Sequence, residues 1–373
     1  MAVVGGAGAF GRSLVQGLLE TTDCDVIVCG RSRDKAEQFA ASLGALRGRV
    51  TAVAIDRQSA DASTISQLKA FCVVDAAGPF QDSSLNFARA VIEAGCHYAD
   101  LADARGFVAK FPQLDELAKL RGVLAVSGAS STPALSMAVI EALTDGWLRV
   151  DEVETVILPS GRAQMGLSVV QAILSYVGRP VRLLRHGRWT VAPGWGLLAR
   201  RRFTGLGWRF ASLVETPDLD LVPARFAALR SAVFYANVEV SVMHLGLWAL
   251  SFLVRLKLVK SLVPFAGALH GLTQLLRRFG SDRGGMSVCV EGVNADARLV
   301  RAQWSLIADA GHGPHIPALP ALCVVRGLLD GSVSRRGALA CTGIVDLASI
   351  EEQFKRFAIR TTRSETALRC SAG

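Results

Sequence analysis

Short apolar runs alternate with amphipathic segments of helical length over the first 145 residues. The strand-like runs cover residues 1–4, 25–29, 50–55, 71–76, 97–101 and 123–126. Between them apolar residues recur at helical spacing, as Leu14, Val15, Leu18 and Leu19 do after the first run. Because the strands are apolar throughout instead of alternating with polar residues, we predict a doubly wound parallel sheet covered by helices on both faces.

Local signals mark the ends of several helices in this region. Ser32 stands where it can cap a helix over 33–43, and Gly44 ends that helix. Further helices are predicted over 84–94, over 107–120, and from a Thr132 cap and a first residue Pro133 toward 143.

A glycine-rich turn joins the first strand to the first helix. Gly6, Gly8 and Gly11 follow the spacing GxGxxG, which gives a tight turn, lets the backbone approach a pyrophosphate, and allows close helix-on-strand packing. The N-terminus of the helix, at Ala9 and Phe10, adds unpaired N–H groups and a partial positive charge. A merely flexible turn is the alternative, but it does not explain the ordered strand–helix series that follows. We predict that these five residues bind the phosphates of a dinucleotide.

The end of the second strand carries the choice between NAD and NADP. An NAD site uses an acidic residue there to accept from the ribose 2′-hydroxyl, whereas this chain has Gly30, Arg31, Ser32 and Arg33. Two arginines and a hydroxyl without a carboxylate suit a 2′-phosphate, so we predict NADP, bound by Arg31 and Ser32. For Arg33, a solvated position in the first helical turn is the alternative.

The loops after the third and fourth strands hold further candidates. Asp56 ends the third strand, where it either lies near the adenine or is an ordinary loop residue. The small residues Ala77, Gly78 and Pro79 leave space for a ligand that crosses the edge of the sheet. Asp75, just before them, can cap or brace the loop.

Together these motifs resemble the saccharopine reductase-like family. The resemblance rests on residues 5–11, 30–31, 76–80, 97–100, 127–128, Pro133 and 313–317. It implies an NADP-binding Rossmann domain, an inserted α+β domain, and a C-terminal return to the first domain. We therefore predict an α/β fold with a Rossmann domain at 1–145, an α+β substrate or dimerisation domain at 146–310, and a segment at 311–373 that packs back on the first domain.

The resemblance also places the strand that contains residues 97–100 beside the nicotinamide. We predict that Tyr98, Asp100 or His97 delivers the proton, with all three at the carboxyl end of that strand. Each has a structural alternative, namely a buried phenol ring, a capping carboxylate and a packed imidazole.

The loop after the sixth strand departs from the family pattern. True saccharopine reductases have an aspartate before the proline, whereas residues 128–133 here read Gly-Ala-Ser-Ser-Thr-Pro. An amino-acid substrate needs charged partners in such a loop. The chain is therefore expected nearer the unassigned oxidoreductases and the trans-acting enoyl reductases of lipid assembly in this family.

Positive charge is concentrated in one block of the second half. The chain has 373 residues and a net charge of +9, and residues 155–214 contain no Asp or Glu. The arginines of this block are Arg162, Arg179, Arg182, Arg185, Arg188, Arg200, Arg201, Arg202 and Arg209. No nucleic-acid motif accompanies them, so an anionic substrate group or an anionic membrane surface is favoured over nucleic acid.

Residues 234–276 form a strongly apolar segment. Its nearly uncharged window, 243–254, is shorter than the roughly 20 residues of a spanning helix. A helix in a membrane interface, a core helix and a helix between two copies of the chain remain alternatives. Beyond it we predict strands over 284–292, 299–307, 343–346 and 357–361, and a helix over 321–329.

The remaining composition favours a cytoplasmic protein, with peripheral membrane association as an open alternative. The eight cysteines are scattered without a CxxC pair, the first residues lack the features of a signal peptide, and His312 and His315 have no acid or cysteine beside them. We predict no metal site. The expected function is NADP(H)-dependent hydride transfer to or from a lipophilic or anionic small molecule, acyl or lipid-like. A catalytically silent NADP-binding scaffold is the alternative, and a homodimer is a further open possibility.

Overall fold

The computed structural model describes residues 1–163 and 166–368. This part of the chain divides into two compact units. The first unit comprises Met1–Leu135 and Pro314–Ile350, and the second comprises Ser136–Gly313 together with the described residues from Glu351 on.

The first unit is built on a seven-stranded sheet. Its strands are β1 (Ala2–Val4), β2 (Val26–Gly30), β3 (Val50–Ala54), β4 (Cys72–Asp75), β5 (His97–Asp100), β6 (Leu124–Ser127) and β15 (Gly337–Ala340). They lie in the order β15-β6-β5-β4-β1-β2-β3, and every neighbouring pair is parallel. The strand order reverses at β1, the point of such a sheet where ligands bind outside the carboxyl ends of the strands. The predicted α/β fold with a doubly wound first domain is confirmed.

Helices connect these strands. They are α1 (Ala9–Thr21), α2 (Arg33–Ala41), α3 (Ala62–Gln67), α4 (Asn86–Glu93), α5 (Arg105–Lys110), α6 (Asp115–Leu120) and α12 (Leu319–Asp330). The helix predicted to begin at Thr132 and Pro133 is α7 (Ser136–Leu143), because Thr132 keeps an extended backbone inside a short turn over Ser131–Leu135.

One predicted late strand is wrong. Residues 343–346 lie in an irregular bend outside any strand. The strand is β15, which pairs with β6. Its sequence Gly-Ala-Leu-Ala lacks the β-branched and aromatic residues that signal a strand, so pairing with a buried neighbour decides its conformation.

The second unit contains a nine-stranded mixed sheet. Its strands are β7 (Arg149–Leu158), β8 (Pro180–Arg185), β9 (Arg188–Pro193), β10 (Ala199–Phe203), β11 (Gly207–Leu213), β12 (Ser231–Ala236), β13 (Gly284–Val293), β14 (Leu299–Ala308) and β16 (Ile359–Ala367). The main order is β10-β11-β12-β7-β13-β14-β16, with β8 joined to β12 and β9 joined to β8. The two strands predicted over 284–292 and 299–307 are β13 and β14, which are antiparallel neighbours with Gly284 opposite Ala308.

The predicted limits of the domains differ from those of the compact units. The first unit stops at Leu135 instead of 145, and the final segment is divided between the units at Ile350. The expectation that all of 311–373 returns to the first domain is therefore wrong, because β16 pairs along its whole length with β14 of the second unit.

Further helices of the chain are α8 (Leu167–Tyr176), α9 (Asp218–Arg225), α10 (Ser241–Arg255), α11 (Ala266–Leu276) and α13 (Leu347–Phe354). In the second unit, a cluster around Trp195, Leu213 and Phe234 forms the core against which α8, α10 and α11 pack. None of the described helices is both long enough and apolar enough to cross a bilayer.

Candidate functional site

The predicted phosphate turn lies between β1 and the first turn of α1. Gly5 has a φ of +75°, which glycine adopts without strain, and its N–H donates to the carbonyl of Cys29 at 2.8 Å. A Cβ on Gly11 would overlap the carbonyl oxygen of Gly5, so helix and turn pack closer than any side chain allows. The structure therefore has the tight turn and the close packing of helix on turn that the GxGxxG spacing predicts.

The N-terminus of α1 is open to a ligand. Gly8 is its N-cap and offers no side chain to the first N–H groups, which include those of Ala9 and Phe10. Gly6 packs against β1, where a Cβ would lie 2.9 Å from the carbonyl oxygen of Val3. Exposed backbone donors at a helix N-terminus are suited to a pyrophosphate.

Arg12, which sequence reasoning missed, adds a cation to this turn. Its Nε donates to the carbonyl of Ala7 at 2.8 Å, and its guanidinium lies 4.9 Å from the centre of the Phe39 ring. The position of Arg12 directly after Gly11 is the sequence signal that could have identified it as part of the turn.

The residues at the end of β2 have separate roles. Ser32 is the N-cap of α2, and its Oγ accepts from the N–H of Lys35 at 3.3 Å. Arg33 pairs with Glu37 at 2.7 Å on the exposed face of α2. Arg31 is exposed and makes no side-chain hydrogen bond or ion pair within the described part of the chain, and a Cβ on Gly30 would meet no atom within 4 Å. Arg31 is therefore unengaged within this part of the chain, and its contact with a 2′-phosphate stays a prediction.

Asp56 shapes the loop after β3. It is exposed, and its Oδ1 accepts from the N–H of Gln58 at 3.0 Å. This contact is typical of an ordinary loop residue. Contact between Asp56 and adenine stays a prediction.

The next residue, Arg57, fixes the loop that follows β4. Its Nη1 donates to Asp75 Oδ2 at 2.9 Å and to the carbonyl of Ala77 at 2.6 Å, and the guanidinium lies 4.9 Å from the centre of the Phe80 ring. Nη2 reaches the carbonyl of Pro79 at 3.4 Å. Ala77, Gly78 and Pro79 are thus held at the carboxyl edge of the sheet by a residue that the sequence did not single out.

Asp75 is the buried partner in this arrangement. Its side chain is almost fully buried, and its Oδ1 accepts from the N–H of Ala77 at 2.9 Å. Burial raises the pKa of Asp75 to about 6, while the neighbouring Arg57 acts in the opposite direction.

Asp100 lies beside Asp75, in register on the neighbouring strand. It is completely buried, and its Oδ1 accepts from the N–H groups of Ala102 at 2.9 Å and Gly128 at 2.8 Å and from the hydroxyl of Ser127 at 3.0 Å. Oδ2 has no hydrogen-bond partner among the described residues. Burial raises the pKa of Asp100 to about 7, and Asp75 adds to the rise. Asp100 therefore holds the loop after β6 and changes protonation near neutral pH.

Tyr98 and His97 are less accessible than the sequence suggested. The ring of Tyr98 stacks on that of Phe111, with 5.7 Å between the ring centres. Burial raises the pKa of Tyr98 well above its usual value, and the carboxylates of Asp100 and Asp75 add to the rise. His97 begins β5, so the expectation that it lies at the carboxyl end is wrong, and about 10 Å of strand separates it from Asp100. Its Nδ1 accepts from the N–H of Leu124 at 2.9 Å, and burial lowers the pKa of the imidazole.

The two histidines of the loop over 312–315 have partners distant in the sequence. Ser13 Oγ lies 2.7 Å from His315 Nδ1, and His312 Nδ1 accepts from the N–H of Ala358 at 2.8 Å. Ser130 and Thr132 are buried in the loop after β6. No group of three side chains that could hold a metal ion occurs in residues 1–163 and 166–368.

Part of the basic block is neutralised within the second unit. Arg201 binds Glu154 through two contacts of 3.1 and 3.0 Å, and Arg182 and Arg209 pair with Asp220 and Glu239, respectively. These acids lie outside the block in sequence, which is why a count within the block missed them. Arg201 and Glu154 line an open cavity of about 550 Å³ on the sheet, with Glu152, Glu291 and Arg301 among the other charged residues.

The N-terminal part of the chain is similar to a known family of domains. Residues 2–139 match the family model of the saccharopine dehydrogenase NADP binding domain. The apo saccharopine dehydrogenase (L-Glu forming) of Saccharomyces cerevisiae is similar over 98% of this chain and 99% of its own, at 12% identity and a TM-score of 0.68. A dehydrogenase (MviM) of Clostridium difficile is similar over 95% and 96%, at 8% identity and a TM-score of 0.42. No curated protein matches the chain. The yeast enzyme shares the fold, and the family model establishes NADP(H) binding by the first domain.

Proposed function

Because residues 2–139 match the family model of the saccharopine dehydrogenase NADP binding domain, we propose that this protein is an NADP(H)-dependent oxidoreductase. The observation that carries the proposal is that the open N-terminus of α1 and two braced loops occur at one edge of one parallel sheet. Gly6, Gly8 and Gly11 would admit the pyrophosphate, and Arg31 would bind the 2′-phosphate. The cofactor, when bound, supplies or accepts a hydride.

The protein's own groups would hold the reactants and exclude water. The Arg57–Asp75 pair keeps the loop over 76–80 in place, and Asp100 keeps the loop over 127–129 in place. Asp100 is the best candidate for a proton reservoir, because burial brings its pKa to about 7 and leaves Oδ2 without a partner among the described residues. Tyr98, with its raised pKa and full burial, and His97, at the other end of β5, suit structural roles.

The substrate is proposed to be lipophilic or to carry an anionic group, as acyl and lipid-like molecules do. Two features favour this class over an amino acid. The loop over 128–133 has hydroxyls and no carboxylate. The exposed cations Arg188 and Arg200 and the half-buried Arg185 lie outside the described ion pairs. An NADP-binding scaffold without turnover is the second candidate, favoured by the deep burial of Tyr98 and Asp100.

Two measurements separate these functions. Binding is followed by the intrinsic fluorescence of NADPH itself, since all six tryptophans lie in the second unit. Turnover is followed by the loss of NADPH absorbance with enoyl and keto acyl substrates, and by the gain of NADPH absorbance when NADP⁺ is supplied with saccharopine as the amino-acid comparison. Reaction with acyl substrates alone supports the proposal, reduction of NADP⁺ by saccharopine overturns the substrate class, and tight NADPH binding without any turnover supports the scaffold.

A further inference from the structure

Helices α10 and α11 are apolar but hardly buried. In α10 only His244 and Ser251 of 15 residues are buried, and in α11 only Ala266 of 11. Helix α12, of similar composition, buries nine of its 12 residues. One face of each helix packs on the core of the second unit, where Leu247, Trp248 and Leu269 are partly buried, and the other face carries exposed apolar side chains.

The uncovered side chains form stripes at helical spacing. Around α11 the stripe is Phe265, Ala268, Leu272, Leu275 and Phe279, and all five are exposed. Along α10 it is Val242, Ala249, Phe252 and Leu256. Eight of the 16 large exposed apolar side chains of the described chain lie within residues 242–279. Scattered exposed apolar residues are ordinary, but a concentration of this kind marks an interaction surface.

The charge of this surface indicates what covers it. Residues 240–281 contain no Asp or Glu and five cations, namely Arg255, Lys257, Lys260, Arg277 and Arg278. Lys257 stands between the exposed Leu256 and Leu258, and the Arg278 guanidinium lies 4.9 Å from the centre of the Phe279 ring. A second copy docked through this face would bring like charges together without a compensating acid. An anionic lipid surface offers both the apolar layer and the opposite charge.

We propose that α10 and α11, with the loop between them, dock this protein onto anionic membranes in the plane of the interface. The residues proposed to make this contact, here called the α10–α11 surface, are the two stripes together with Leu258, Lys257, Lys260 and Arg278. The apolar stripes insert among the acyl chains near the headgroups, and the cations contact the lipid phosphates. Docking requires no turnover, so it stands or falls independently of the proposed reaction.

The test is co-sedimentation of the full chain with vesicles of phosphatidylcholine and with vesicles of phosphatidylcholine and phosphatidylserine. We expect binding to the anionic vesicles, little binding to the neutral ones, and weakening by salt. The double variant Lys257→Gln/Lys260→Gln should weaken binding roughly 10-fold or more. Leu272→Gln/Leu275→Gln should weaken it at every salt concentration, because it removes the inserted layer.

The matched control is Leu120→Gln, which changes a leucine that is 81% exposed in the first unit. It should bind vesicles as the unmodified protein does, and NADPH binding should be the same in every variant. Failure of the unmodified protein to sediment with anionic vesicles would overturn the proposal, as would equal binding to both kinds of vesicle. A dimer that Leu272→Gln/Leu275→Gln dissociates, without vesicle binding, would assign the surface to a second copy of the chain instead.

Discussion

Arg57 Nη1 lies 2.9 Å from Asp75 Oδ2, and this ion pair joins the loop after β3 to the end of β4. The same guanidinium binds the carbonyl of Ala77 and lies over the ring of Phe80. One side chain thus links the buried carboxylate to the loop next to the phosphate turn. A Cβ on Gly5 would lie 3.0 Å from Ala77, so the loop and the turn are in close contact.

Removing this cation should destabilise the first unit. Arg57→Met leaves the Asp75 carboxylate buried without its partner, at an expected cost of about 3 kcal/mol in the free energy of unfolding. It should also raise the pKa of Asp75 above about 6, since Arg57 acts to lower it. Far-UV circular dichroism during urea unfolding gives the stability, and NADPH fluorescence gives the effect on the cofactor.

The double variant Arg57→Met/Asp75→Asn provides the control. Without a buried charge left to solvate, it should recover a large part of the lost stability, but not the affinity for NADPH, because the carbonyls of the loop stay unbound. Equal losses of stability in the single and the double variant would mean that Arg57 does not stabilise the Asp75 carboxylate.

Asp100 should make the stability of the first unit depend on pH. Its pKa is about 7 in the folded protein and 3.8 ordinarily, so the folded state holds the proton more tightly. The contribution of Asp100 to folding stability is therefore fully present below its ordinary pKa and is lost as the pH rises to about 7. Asp100→Asn keeps an acceptor for the three donors and has no charge to bury, so its stability relative to the unmodified protein should rise between about pH 4 and pH 7. A stability difference independent of pH would show that the carboxyl group is ionised throughout.

Gly11→Ala should damage the phosphate turn. The added Cβ overlaps the carbonyl oxygen of Gly5, so the helix must move, at an expected cost of about 2 kcal/mol and with a large loss of NADPH affinity. Gly106→Ala in α5 is the matched control. Its Cβ would meet nothing within 4 Å, and this change should stabilise the unit by about 0.5–1 kcal/mol.

The choice of NADPH over NADH should depend on the end of β2. Arg31→Ala should weaken NADPH binding by roughly 10-fold or more and leave NADH binding nearly unchanged, because the 2′-phosphate loses a charged hydrogen bond. Gly30→Asp should act in the same direction through repulsion, and the site has room for the side chain. Arg33→Ala, which removes only the exposed pair with Glu37, is the control. Equal losses for NADPH and NADH in Arg31→Ala would contradict the assignment.

His244 should make the second unit less stable in acid. It is fully buried, with Nδ1 accepting from the N–H of Val238 at 3.1 Å and Nε2 lying 3.0 Å from Ser212 Oγ, and burial lowers the pKa to about 4 from 6.5. The stabilising contribution is complete above the ordinary pKa and declines as the pH falls toward 4, by about 2 kcal/mol at pH 5. Urea unfolding followed by tryptophan fluorescence measures this, because Trp195 lies against His244 at 5.1 Å between ring centres. His244→Gln should reduce the loss between pH 7 and pH 5, and an unchanged loss would assign it to other groups.

Much of the first unit could be predicted because its signals are local. Ser32 was expected to cap α2 and does, and the apolar runs predicted its first six strands. Strand β15 was not predicted because its small residues have no strand preference of their own. The role of Arg57 was not predicted because nothing near it along the chain indicates a contact with Asp75, which is 18 residues away.

The sequence by itself determined the glycine turn, since the absence of a Cβ at Gly5 and Gly11 is a local requirement that no distant contact can replace. It also determined the cation at Arg31, because the end of the second strand is fixed by the pattern. Only the tertiary structure decided which titratable groups are buried. The pKa values of Asp75, Asp100 and His244 depend on solvent exclusion by residues far apart in the chain. It likewise decided which apolar helices stay uncovered, because the buried face of α12 and the exposed stripes of α10 and α11 have similar composition and differ only in what packs against them.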